Sequence, residues 1–249
     1  MVCSVRNITI GEGKPKICIP IVENNQEDMI QSAISLPKDM YDLVEIRIDY
    51  FLNLKDDEKC LELLTSLRDV LECPILLTCR TKQEGGEVEL TDEEYIHILK
   101  TAIKSQCIDL IDIELSRGNL VLYQLIEYAH QHHIFVVVSK HDFEKTPSQL
   151  EIQETLEKME IMGGDILKVA YMPYNKQDVL TLMNITMSLS PKLHKPLVTI
   201  SMGELGKITR VCGELIGSSI TFASAKKVSA PGQMSASRIH MLLEAIHHD

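Results

Sequence analysis

Eight short apolar runs, each followed by a longer stretch with helical spacing, constrain this chain more than any other feature. The runs are KICIPIV (16–22), LVEIRID (43–49), PILLTC (74–79), LIDIEL (110–115), IFVVVS (134–139), DILKVA (165–170), PLVTIS (196–201) and SITFAS (219–224). Helical spacing follows at 26–36, 57–71, 91–105, 119–131, 146–162, 175–189, 204–215 and 233–247. Thr91 and Glu94 fit a capping box. Thr146 reads as an N-cap with Pro147 at the first helical position, and Gly163 as the stop of that helix. No linker rich in Pro, Gly or Ser divides the chain, and no repeat is evident. Eight β–α units in 249 residues predict one closed (β/α)8 barrel domain over 1–249, with an open sheet of six or seven strands as the fallback. The leading VRNITIGEGKPK (5–16), two short β-like pieces around Gly11 and Gly13, reads as a β-hairpin over the barrel's lower mouth.

The run GGDILKVAYMP (163–173) sets a lysine, Lys168, in the middle of a strand that looks buried on both faces. A buried ammonium must reach water, pair with a carboxylate or give up its proton. Composition narrows what such a group serves. A net charge of −11, with no block of five or more like charges, argues against nucleic acid or an anionic membrane as partner. An anionic ligand must then be held by a few placed cations. Seven scattered cysteines without a C-x-x-C pair, and no secretory leader, predict a reduced, cytoplasmic protein. No apolar stretch approaches the ~18 residues that span a bilayer.

Period two identifies what the strands turn inward. Glu45, Arg47 and Asp49 share one face, as do Thr78 and Arg80, and Asp112 and Glu114. The helix-facing side must be apolar, so these polar sets belong inside, toward the C-terminal strand ends where barrel active sites sit. A structural ion-pair lattice would leave the same pattern. His141 stands just past strand five, beside the strand of Lys168. Glu84 precedes two turn-forming glycines, Gly85 and Gly86, after strand three. Arg210, Ser229 and Gln233 follow strands seven and eight, where barrels hold anions. The run HQHH (130–133) resembles a metal cluster, but it ends a helix on the opposite side of the barrel, where histidines complement the dipole. Lys168 in an apolar strand near Arg47, Arg80 and Arg210 predicts a neutral amine, nucleophilic toward ketones, with a histidine to move protons.

Taken in order, GEGKPKIC, VEIRID, CRTKQEGGE, IDIEL, SKHDFEKTP, GDILKVAYMP, GKITRVCGELIGSSITF and SAPGQMS resemble type I 3-dehydroquinate dehydratase over about residues 5–245. The resemblance implies a (β/α)8 homodimer that dehydrates 3-dehydroquinate to 3-dehydroshikimate, a step of the shikimate pathway, without metal or organic cofactor. It implies Lys168 as the imine-forming lysine, His141 as general acid and base, and Glu84 as the carboxylate that orients it. Arg210, Ser229 and Gln233 match the set that holds the substrate carboxylate, and Glu45, Arg47 and Arg80 the residues around the ring hydroxyls. Met172 and Met202 would wall the site. Pro20 stands where some relatives have serine, so no contact is carried over from the first strand. A class I aldolase would also use a buried strand lysine, but no glycine-rich phosphate pair follows strands seven and eight. A metal-dependent barrel hydrolase would need H-x-H or a bridging carboxylate–lysine arrangement, and strand one has neither. A non-catalytic binding barrel would have no use for Lys168, His141 and Glu84 together. The segment 226–236, with Gly232 among small residues, is the candidate lid.

Overall fold

The computed structural model describes residues 2–37, 39–225 and 229–247. Among these residues, ten strands and eight α-helices follow in chain order. A hairpin of β1 (Cys3–Val5) and β2 (Ile8–Ile10) precedes β3 (Lys16–Ile21), β4 (Leu43–Arg47), β5 (Ile75–Thr78), β6 (Leu110–Glu114), β7 (Phe135–Asp142), β8 (Ile166–Tyr171), β9 (Leu197–Ser201) and β10 (Ile220–Phe222). The last eight form one parallel sheet in the order β10–β3–β4–β5–β6–β7–β8–β9. The seam between β9 and β10 is narrow. It is crossed by the Ser219 N–H to the Leu197 carbonyl at 2.7 Å and by the Thr199 N–H to Ser218 Oγ at 3.0 Å. The result is a nearly closed (β/α)8 barrel.

The helices form where apolar spacing and caps coincide. α1 (Gln26–Ile34), α2 (Asp57–Val70), α3 (Asp92–Lys104), α4 (Asn119–Gln131), α5 (Gln149–Ile161) and α6 (Lys176–Leu189) lie between consecutive strands. Short α7 (Gly213–Ile216) and then α8 (Ala236–Ile246) complete the ring. Thr91 and Glu94 close the expected capping box on α3. On α5 the cap is Ser148 with Glu151, two residues beyond the expected Thr146. Thr146 Oγ1 donates to the Met172 carbonyl instead, so it is spent on the next strand.

Outward residues of the strands, such as Ile46, Leu77, Ile113, Val138 and Val169, join the helices in one large core. Inward residues at the strands' N-terminal ends form a second core of Leu43, Leu76, Leu110, Val137, Ile166, Val198 and Ile220. Cys3, Val5 and Ile10 of the hairpin plug it from below. The hairpin pairs Cys3 with Ile10 and Val5 with Ile8. Its turn is therefore at Arg6–Asn7, with Arg6 left-handed at φ 50°, and not at the glycines of 11 and 13. Asp42, Asp109 and Asp165, each just before an even-numbered strand, accept the N–H of Ile17, Ile75 and Val136 on the neighbouring strand.

Two further expectations change. The stretch 204–215 is not one helix but a 3-10 segment, Leu205–Arg210, followed by the single turn α7. Gly206 packs so tightly that a Cβ there would fall 2.0 Å from the Ser201 carbonyl oxygen. Thr209 Oγ1 accepts the Ser201 N–H and donates to the Gly206 carbonyl. Those contacts fold the segment onto the rim and bury Arg210. The last helix begins after Ser235, leaving Gln233 in a loop. Of the candidate lid, 229–236 lies within the described residues and 226–228 lies outside them.

Candidate active site

Lys168 occupies the middle of β8 and is 5% exposed. Its neighbour across the ladder on β7 is Ser139. The ammonium nitrogen lies 3.3 Å from Asp112 Oδ2 and 3.8 Å from Glu45 Oε1, and 4.4 Å from the centroid of the Phe222 ring. Its nearest charges are thus negative, where the sequence led us to expect arginines. Pairing with carboxylates is how this fold accommodates the lysine.

His141 is not past the strand but within it. β7 continues to Asp142 because β8 offers a partner as far as Tyr171, with His141 opposite Ala170. Glu84 Oε2 accepts both the His141 backbone N–H at 3.0 Å and Nδ1–H at 2.9 Å, so the ring is fixed twice by one oxygen. Burial, then the charges of Arg80 and Lys168, push His141 well below the ordinary histidine value. The imidazole is therefore neutral near pH 7, and with Nδ1–H committed to Glu84 its Nε2 is left as a proton acceptor. Burial raises the Glu84 carboxyl. Ser116 Oγ anchors its other oxygen at 2.6 Å.

Arg80 binds three carboxylates at once: Asp112 at 2.8 Å, Glu114 at 3.0 Å and Glu84 at 3.5 Å. Its Nη1 also donates to Ser139 Oγ. Asp112 accepts from Ser139 Oγ at 2.6 Å. Burial disfavours ionisation of Asp112, but Arg80 and then Lys168 more than offset it and hold its carboxyl below the usual carboxylate range. The lattice that inward polar strands allowed for is therefore present, and it carries Lys168 and His141 within it.

One cleft is lined by Lys168, His141, Glu84, Glu45, Arg47, Arg80, Arg210, Ser229 and Gln233. Arg210 is 2% exposed. Its donors reach only carbonyls among the described residues, those of Phe222 at 3.3 Å and Pro231 at 2.9 Å, and Nε has no partner. Burial alone brings it down to about 10, so it still carries its charge near pH 7. Ser229 and Gln233 bond to one another, the serine N–H and hydroxyl both meeting Gln233 Oε1. Glu45 accepts from Thr78 Oγ1 at 2.8 Å. Met202 lines the cleft, and Met172 packs with it in the inner core.

Two positioning residues were legible as inward-facing but had no assigned task. Asp49 forks Arg47 with two bonds, 2.9 and 2.8 Å, and also accepts the Arg80 N–H. Asp112 links Lys168 to Arg80 across the barrel. Alternation placed both inside, and that was the available signal. Their partners depend on barrel closure. Of the HQHH run, His130 pairs with Asp165 and His132 Nδ1 meets the Tyr128 carbonyl. Among the described residues no group of three His, Cys, Asp or Glu side chains could hold a metal ion. None of their helices is long and apolar enough to cross a membrane.

The model of the type I 3-dehydroquinase family matches residues 17–249. A 3-dehydroquinate dehydratase of Listeria welshimeri is 42% identical over 244 residues, covering 98% of this chain and 97% of its own. That of Salmonella agona is 39% identical and covers 98% of both. The type I 3-dehydroquinate dehydratase of Clostridium difficile, solved with covalent modified comenic acid, superposes with a TM-score of 0.96. It is 39% identical, covering 99% of this chain and 98% of its own. The fold and these relatives together define a (β/α)8-barrel enzyme of the hydro-lyase class. The chain belongs to the type I 3-dehydroquinase family.

Proposed function

We propose that the enzyme dehydrates 3-dehydroquinate to 3-dehydroshikimate through a covalent imine on Lys168, with His141 as general base and then general acid. The observation that carries this reading is one cleft shared by a buried amine, an oriented neutral imidazole and a buried arginine that has no carboxylate partner among the described residues. The amine condenses with the C3 ketone: one ammonium plus one carbonyl gives one iminium plus one water, with no net change in charge. The iminium is a stronger electron sink than the ketone. His141 Nε2 takes a proton from C2 to give an enamine, and Glu84 stabilises the imidazolium that forms. The enamine then expels the C1 hydroxyl, which leaves as water with the proton returned by His141. Hydrolysis of the conjugated iminium regenerates Lys168.

Arg210 receives the substrate carboxylate as a two-pronged partner that a lysine would not reproduce. Ser229 and Gln233 complete that end, and exchange their mutual bonds for bonds to the ligand. Glu45, Arg47 and Arg80 face the ring hydroxyls. The covalent comenic acid of the Clostridium difficile relative supports a covalent route. Residues 1–249 act as one barrel domain, in a homodimer in the cytoplasm, which sedimentation of the purified enzyme and fractionation of its cells would check. The central test is intact mass after borohydride reduction with 3-dehydroquinate. One substrate-derived mass on the peptide containing Lys168 is expected. An adduct on Lys140 or Lys207 would overturn the assignment.

A further inference from the structure

We propose that Asp112 is the counter-ion of the reacting nitrogen, seating the Lys168 amine and balancing the positive charge that this nitrogen carries as an iminium. The proposal deepens the imine reading above and rests on it. Asp112 and Lys168 lie on β6 and β8, with β7 between them. The residue of β7 at that level is Ser139, paired with Lys168 across the ladder. A side chain this small lets a carboxylate reach past one strand to the next. Ser139 also orients that carboxylate, donating to Oδ1 at 2.6 Å, and leaves Oδ2 for the Lys168 nitrogen at 3.3 Å and the Arg80 guanidinium at 2.8 Å. Asp112 is 1% exposed, so water does little to screen the pair.

Glu45 is the rival. It stands farther off, at 3.8 Å, and its Oε1 is also bonded to Thr78. Burial raises the carboxyls of Glu84 and Glu114, whereas Arg80 and Lys168 keep Asp112 ionised against its burial. Asp112 is thus a fixed negative charge beside the nitrogen and not a proton acceptor. The geometry also suits the proton transfer. When the C2 proton moves to His141, positive charge leaves the nitrogen beside Asp112 and appears on the imidazole beside Glu84. Arg80 touches both carboxylates, so the two seats of the travelling charge are tied to one guanidinium.

The test uses Asp112→Asn, which keeps the shape and removes the charge. Three quantities are measured: the fraction of enzyme trapped by borohydride at saturating 3-dehydroquinate, kcat, and the Kd of a carboxylate-bearing analogue with no ketone at C3. The trapped fraction and kcat should each fall about tenfold or more, as expected on losing a buried bond to a charged group. The analogue Kd should stay within about twofold, because Arg210 still holds its carboxylate. An unchanged trapped fraction with a weakened analogue would mean that Asp112 acts through Arg80 on binding, and would overturn the proposal. If Asp112→Asn fails to melt cooperatively, Ser139→Ala replaces it. That variant removes the 2.6 Å bond to Asp112 together with the Arg80 Nη1 bond to the same hydroxyl. It leaves the Asp112 charge in place and should lower trapping about threefold, and unchanged trapping there would equally overturn the idea. Absence of any Lys168 adduct in the unsubstituted enzyme would sink the imine reading itself. That failure is distinct from an adduct that forms equally well without Asp112.

Discussion

The two ends of this barrel are built from the same strands two residues apart, and they are opposites. At the lower end β4, β5, β6, β7 and β8 turn Leu43, Leu76, Leu110, Val137 and Ile166 inward. One step up the same faces carry Glu45, Thr78, Asp112, Ser139 and Lys168, all buried. The lower end is sealed by the apolar side of a hairpin, and its strand starts are tied by Asp42, Asp109 and Asp165. The upper end is a charged lattice opening on a cleft. Burying apolar area stabilises the fold, at about 25 cal/mol per Å². Burying charges costs desolvation that pairing only partly offsets. The lower end therefore supplies the stability on which the costly upper end depends.

That division predicts which substitutions separate activity from stability. Lys168→Ala should abolish both turnover and the borohydride adduct while the protein still melts cooperatively, measured by intact mass and calorimetry. Turnover retained in this variant would move the chemistry out of the upper end. His141→Ala should lower kcat by about 10²–10⁴-fold, the span of lost proton transfer, yet still be trapped as an imine. Near-normal turnover would leave His141 a structural part of the lattice. The same residue sets a pH dependence. Because His141 is pushed below the ordinary histidine value, it stays neutral as pH falls past that value. The acid limb of kcat/KM should accordingly lie below it. By the same sign, the unfolded chain binds the extra proton in that window, so this contribution to stability is full above the ordinary value and is lost as pH falls through the window.

Arg210→Ala should cost about 2–5 kcal/mol in kcat/KM, the range for removing one partner of a desolvated charge pair, and Arg210→Lys should restore part of it. An analogue without the carboxylate should react equally with both enzymes, and a persistent gap would place Arg210's role in holding the loop through Pro231. The smallest effect on activity belongs to the lower end. Leu110→Ala, at a fully buried site, should cost about 2–5 kcal/mol of stability with kcat unchanged at temperatures where the variant is folded. A matching loss of kcat would show that the two ends are not separable.

Much of this molecule follows from local pattern. Apolar runs at regular intervals specify eight strands, and alternation along VEIRID, LLTCR and IDIEL specifies which side chains face inward, because side-chain direction has a period of two whatever the neighbours. The lysine in DILKVA was legible as a lone charge in an apolar run, and the histidine in SKHDF by its place at the end of the fifth run. Partners were not. Asp112 and Lys168 are 56 positions apart and separated by a strand, Glu84 and His141 are 57 positions apart, and Arg210 lies beside Pro231 because Gly206 and Thr209 break a helix that the spacing alone would continue. A sequence determines the face on which a side chain lies, since that depends on bonds within the strand. Only the closed barrel decides what that side chain meets, since register, closure and the small residue left between two strands set distances that no local preference contains.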